Sequence, residues 1–323
     1  MFLTLTTSEG GPDVATTIGD TGHRFGGAWT EVKLDAVSDY CGFFNKVLED
    51  KPSPQYPFER WYFDAFAGSG TRRVEHTTGG LLEGKPIETQ SRDLAGSVLK
   101  ALQVDPPFHK LAFIEGHQGR FQSLERIKDA HPERGIVCIH GDANEKLTEI
   151  FGTAPWNQQR EGRGSCRGLC FLDPYGMNVN WATLKLLAET RAVDVWYLFP
   201  LDAVSRQLAG RLDRVDNNKQ RRLDEIFGTA NWRNDIYSVE TTNDLFAEVI
   251  TTATRQFDRG QIERYAQQRL RTIFSYVSDP LPLLNDSGRQ IFSLFCLSNS
   301  ASNAAIRLIQ NGVTWVLKKH SGR

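Results

Sequence analysis

Tyr62-Phe63-Asp64-Ala65-Phe66-Ala67-Gly68-Ser69-Gly70-Thr71 is the stretch on which the reading of this chain turns. An aromatic, apolar run ends in an acid and passes directly into a Gly-x-Gly turn. A buried strand there delivers a carboxylate and then backbone N–H groups that a ligand can approach closely. In open α/β sheets such crevices, at the carboxyl ends of the strands, are where ligands bind.

Outward from this stretch, apolar runs recur at Arg60 to Phe66, His109 to Glu115, Gly135 to His140, Gly168 to Asp173 and Val193 to Phe199. Helical patterns fall between them at Glu88 to Leu102, Gly119 to Ala130, Asn144 to Phe151 and Trp181 to Glu189. The alternation predicts an α/β fold, a doubly wound Rossmann-like sheet that is mostly parallel. Ile273 to Leu284 and Gln290 to Leu297, around Asn285-Asp286-Ser287-Gly288, predict a C-terminal antiparallel hairpin, and Ala301 to Gln310 a last helix. Upstream, Ala28 to Leu48 reads as an amphipathic helix whose Trp29, Tyr40, Phe43 and Phe44 cover the sheet. The expected organisation is a flexible leader (1–27), an N-terminal helix and linker (28–59), the core (60–200), a helical insertion (201–271) and a hairpin and helix completing the core (272–323).

The chain has 323 residues, 38 Lys and Arg against 39 Asp and Glu, and a net charge of −1. That balance excludes a strongly basic nucleic-acid coat, and five Cys are too few for a disulfide scaffold. No apolar run approaches the ~18 residues that span a bilayer, and the N-terminus carries no basic segment ahead of an apolar one. A cytoplasmic location is the expectation.

The ligand of the Gly turn follows by elimination. There is no Gly-x4-Gly-Lys run, so a P-loop is excluded. A dinucleotide fingerprint requires a third Gly where Arg73 stands and an acid about 20 residues further on. S-adenosylmethionine (SAM) fits better, because it has no phosphate and needs an acid for its ribose, a polar group for its adenine and a Gly turn for its amino-acid end. Asp64, Glu115 and Asp142 stand at three successive strand ends; Asp64, Phe66, Gly68 and Gly70 would shape the amino-acid seat, Glu115 would hold the ribose and Asp142 the adenine amine.

The fourth strand leads into Asp173-Pro174-Tyr175-Gly176. Asp173 and the Pro174 carbonyl can accept the N–H groups of a planar amine while Tyr175 stacks on it. Arg72 and Arg73 after the Gly turn, and Arg211, Arg214, Arg221 and Arg222 in the insertion, are candidates for substrate docking, nucleic acid included. The Gly-containing loop to Glu88 is either a lid or a segment without a role. Cys166-x3-Cys170 lacks the further ligands of a zinc site, and no metal is expected. His140 is a strand-end residue beside the rim.

Phe63 to Thr71 resembles the first motif of class I SAM-dependent methyltransferases, in the form found among nucleic-acid amino-methyltransferases. Asp173-Pro174-Tyr175 resembles their Asp-Pro-Pro-Tyr motif with one proline missing. A wider resemblance, through Trp29-Thr30, Lys33-Leu34, Gly96-Ser97, Leu99, Leu102, Phe171 to Gly176, Trp181, Asp194-Val195-Trp196 and Trp232, is to the three-Cys-motif partner proteins. It implies a methyltransferase-like fold, SAM binding and a radical-SAM-like three-Cys-motif protein as partner. The leading expectation is methyl transfer to a nucleic-acid base or similar planar amine. A non-catalytic scaffold, or a metal-dependent nucleic-acid hydrolase built on Asp64, Asp142 and Asp173, are its alternatives.

Overall fold

Apolar side chains at spacings of three and four form α1 (Ala28–Leu48), which buries Leu34, Val37, Tyr40 and Phe44. The computed structural model describes residues 28–80, 85–161, 165–243, 249–300 and 302–321, so the leader expected over 1–27 lies outside the described residues. A short hairpin, β1 (Pro52–Ser53) with β2 (Tyr56–Pro57), forms the proline-marked linker. It leads into β3 (Glu59–Asp64), the strand that ends at the Gly turn.

After that turn come β4 (Thr71–Gly80) and β5 (Lys85–Ala95), which pair with each other, and then α2 (Ser97–Leu102). The expected helix from Glu88 and the expected loop before it are therefore both corrected. Thr71, Val74, Thr77 and Thr78 offer a β-branched strand, and Thr89, Ser91 and Asp93 are weak helix formers, so only Ser97 onward coils. The described residues divide into two units, one within Arg73–Arg92 and one made of Gly26–Arg72 with Asp93–Arg323. In the first, the described part is strand; the second carries the large sheet, its helices and the expected site residues apart from Arg73.

The alternation continues through β6 (Lys110–Glu115), α3 (Gln118–Ala130), β7 (Ile136–His140), α4 (Ala143–Phe151), β8 (Cys166–Leu172), α5 (Trp181–Thr190) and β9 (Val193–Phe199). Each strand starts and ends within about two residues of its apolar run. The segment 201–271 supplies α6 (Leu201–Gln207), α7 (Asn217–Phe227), α8 (Trp232–Ile236), the antiparallel pair β10 (Tyr237–Asn243) and β11 (Val249–Arg255), and α9 (Arg259–Leu270). Its reading as purely helical missed that pair, whose Thr- and Val-rich strands are masked by flanking charge. Then β12 (Tyr276–Val277), β13 (Leu281–Leu284), β14 (Gln290–Ser298) and α10 (Asn303–His320) close the chain.

The eight-stranded sheet runs β12-β14-β9-β8-β3-β6-β7, with β13 also on β14. Strands β3, β6, β7, β8 and β9 are parallel, and β14 is antiparallel to β9 and to the β12 and β13 segments. The order reverses at β3, where one crossover leads to β6 and the other neighbour is β8. That is the doubly wound, Rossmann-like sheet with a C-terminal antiparallel hairpin.

Alternate residues along each strand face opposite layers. Tyr62, Phe113, Phe171 and Trp196 pack under α1, α2, α3 and α10, while Phe63, Ile114, Cys170 and Tyr197 pack under α4, α5 and the 201–271 helices. With both faces covered, the parallel strands are left open at their ends. Asp64, Glu115, Asp142 and Asp173 stand at or just beyond those ends.

Candidate functional site

Asp64 is the last residue of β3, paired in register with Phe113 of β6 and Phe171 of β8, and its side chain is fully buried. One carboxyl oxygen accepts the Phe66 N–H at 3.2 Å; the other, Oδ2, has no hydrogen-bond partner among the described residues. Burial lifts its pKa to about 7, and nearby Asp173 adds to the rise, while Ser97, the Phe66 N–H and Lys33 pull the other way. Leaving a buried carboxyl oxygen unpaired costs stability, so the position is suited to a ligand that brings a donor or a cation.

The chain then turns over the sheet edge. The Ala67 N–H donates to the Ile114 carbonyl at 3.0 Å and the Gly68 N–H to Glu115 Oε2 at 3.0 Å. Gly68 (φ +65°) and Gly70 (φ +80°) lie in the left-handed region. A Cβ on Gly68 would meet nothing within 4 Å, so the turn faces open space there; one on Gly70 would lie 2.3 Å from Ile127 Cδ1, and the end of that side chain would have to shift.

Glu115, the last residue of β6, is 4% exposed. Besides Gly68, it accepts the His117 N–H at 2.7 Å and Arg120 Nη2 at 2.9 Å, both on Oε1. Arg120, in the first turn of α3, also lies over the Tyr175 ring, 5.3 Å from its centroid, and its Nε is buried without a partner among the described residues. Asp142 caps α4: its Oδ1 accepts the Asn144 and Glu145 N–H groups at 2.9 and 3.2 Å. That structural duty occupies one oxygen of the expected adenine ligand.

Asp173, just beyond β8, forms an ion pair with Lys33 of α1. Lys33 is buried beside the rings of Trp29 and Phe171, its ammonium 5.1 and 5.9 Å from their centroids. Pro174 is buried, whereas Tyr175 is 45% exposed, with its phenol pKa raised by burial. The acceptor candidates thus share one strand end, but Asp173 turns to Lys33 and Tyr175 to Arg120. Neither cation was singled out as a site residue on sequence grounds. Lys33 had a signal, a charge on the apolar face of α1; Arg120, on a polar helix, had none.

Phe66 is half-buried at the edge of the core, and His140 bonds the Gly116 carbonyl at 3.1 Å. Arg72 and Arg73 fall in β4, whose side chains lie outside the described residues. Arg211 is paired with Asp213 at 2.6 Å, while Arg214, Arg221 and Arg222 are exposed. Among the described residues no group of three or more His, Cys, Asp or Glu side chains could hold a metal, and all five Cys are free thiols. No described helix is long and apolar enough to cross a membrane.

No protein-family model matches the chain, and no curated protein matches it in sequence. Among solved structures it is similar to a Legionella pneumophila protein described by the family model DUF519, at 13% identity over 91% of this chain and 93% of that one (TM-score 0.46). It is also similar to the putative methyltransferase YhhF from Escherichia coli, at 13% identity over 67% and 84% (TM-score 0.28). The N-terminal domain of EvdMO1 with SAH bound is similar at 12% over 81% and 80% (TM-score 0.35). At these identities and TM-scores the likenesses carry no argument about this chain, whose doubly wound, Rossmann-like sheet rests on its own strand order.

Proposed function

We propose that the protein binds SAM at the carboxyl rim of its sheet and transfers the methyl group to a planar amine, a nucleic-acid base being the preferred acceptor. The observation that carries this reading is Asp64, a fully buried carboxyl with one oxygen unpartnered, at the foot of a Gly turn open on its Gly68 side.

In this reading Asp64 takes the ammonium of the amino-acid end, with Phe66, Gly68 and Gly70 shaping the seat. Glu115 accepts the ribose hydroxyls, and the second oxygen of Asp142 accepts the adenine amine. SAM supplies a sulfonium methyl that is already a reactive electrophile, so the protein's part is alignment and exclusion of water. Lys33 holds Asp173 Oδ2, and the carboxylate has further acceptor positions for an acceptor N–H. The Pro174 carbonyl and the Tyr175 ring complete the acceptor seat. Arg214, Arg221 and Arg222 are suited to phosphate contacts.

The sequence resemblance supports a radical-SAM-like three-Cys-motif protein as partner, which co-purification of the two tagged proteins tests. The Lys33–Asp173 pair favours a second reading, in which the chain keeps the cofactor site but serves as a non-catalytic partner. Asp173→Ala distinguishes the two: it abolishes transfer in the first and leaves the biological function intact in the second. Titration calorimetry with SAM tests the cofactor itself. Binding to the wild type that disappears in the Asp64→Ala, Glu115→Ala double variant supports it; no binding to the wild type contradicts it.

A further inference from the structure

Glu115 is already heavily used before any ligand arrives. A carboxylate offers about four acceptor positions. Three are taken, by the Gly68 N–H, the His117 N–H and Arg120 Nη2. A ribose diol donating both hydroxyls needs two, which is one more than remain.

One of the three donors must therefore leave. The Gly68 and His117 N–H groups belong to the backbone of the turn and of the residue preceding α3, so withdrawing them would unmake the strand end. Arg120 is a long side chain, 30% exposed, held at the carboxylate by a single hydrogen bond. Its Nε is buried and has no partner among the described residues, so within them the guanidinium has an unused donor in its present seat. The same guanidinium covers the ring of Tyr175.

We propose that Arg120 is a positioning residue that occupies the ribose place on Glu115, is displaced by the diol, and so couples arrival of the cofactor to the setting of Tyr175 on the acceptor side. Cofactor then binds before acceptor. The proposal rests on the SAM reading of the rim.

Calorimetry with SAM on the wild type, Arg120→Ala and Arg120→Lys tests it, alongside a SAM analogue lacking both ribose hydroxyls. Removing a competing hydrogen bond is expected to make Arg120→Ala bind SAM about three- to tenfold tighter, with Arg120→Lys in between. The diol-free analogue is expected to bind wild type and Arg120→Ala equally. A merely structural Arg120 gives the opposite sign, because its loss loosens the Glu115 seat. Unchanged or weaker SAM binding in Arg120→Ala, or a gain that persists with the diol-free analogue, overturns the proposal and leaves the cofactor reading standing. Absence of SAM binding by the wild type overturns both.

Discussion

Two aspartates are buried in this sheet, and they sit in unlike surroundings. Asp194, within β9, accepts the Tyr40 hydroxyl at 2.8 Å on Oδ2 and is supported by Ser298, with Arg167 close by. Asp64, at the end of β3, accepts the Phe66 N–H and is supported by Ser97, but its Oδ2 has no partner among the described residues and a Gly turn lies open beside it. Burial raises the pKa of both. The difference is that the protein itself satisfies Asp194, tying α1 to the sheet, whereas one oxygen of Asp64 stays without a partner among the described residues. A buried charge completed from within is a structural device; one left incomplete at the edge where parallel strands end has the character of a site.

The sharpest way to break this contrast is to remove the rim acids. Asp64→Ala with Glu115→Ala is expected to weaken SAM by about a hundredfold or more, since each loses a charged hydrogen bond to the ligand. Asp194→Ala is expected to leave SAM affinity within about twofold of wild type. Equal losses from the two would erase the distinction.

Stability responds in the reverse sense. Burial lifts Asp64 from 3.8 to about 7, so between those values the folded chain holds a proton that the unfolded chain has released. Stability contributed at this position therefore falls as pH rises from about 4 to 7, and the penalty is fully present above 7. Asp64→Asn removes it, and is expected to stabilise the ligand-free protein at pH 8 by about 2–4 kcal/mol, a gain that fades toward pH 4. Denaturant titrations at the two pH values check this. Asp194→Ala, by contrast, leaves the Tyr40 hydroxyl without its acceptor and is expected to cost about 1–3 kcal/mol in the same titration.

A smaller effect is expected at the turn. Gly70→Ala puts a Cβ 2.3 Å from Ile127 Cδ1 at a φ of +80°, and is expected to lower stability by about 1–2 kcal/mol. Thermal melts measure it.

The parallel sheet and its C-terminal hairpin were legible because the apolar runs from Arg60 to Phe199 are short, bounded by turn residues and separated by helical periods. The Asp64, Glu115 and Asp142 strand ends followed from the same pattern. What the sequence concealed depends on contacts far apart in the chain. Lys33 and Asp173 are 140 residues apart, so that neither is seen to complete the other until α1 lies on the sheet. Asp142 reads the same in sequence whether it caps α4 or faces a ligand. The β4–β5 and β10–β11 pairs were missed because Thr-rich strands interrupted by charge carry little apolar period, and pairing between strands decides their structure more than local propensity does.

In the proposed site the Asp64 carboxyl completes its hydrogen bonding with the cationic end of SAM. The measurement that tests it most directly is calorimetry of SAM binding to the wild type and to Asp64→Asn at pH 7.5 and 5.5. Because burial lifts the Asp64 pKa to about 7, wild-type affinity is expected to be at least tenfold weaker at pH 5.5, and the Asn variant to bind weakly at both. Wild-type binding independent of pH and undiminished in the Asn variant would contradict it.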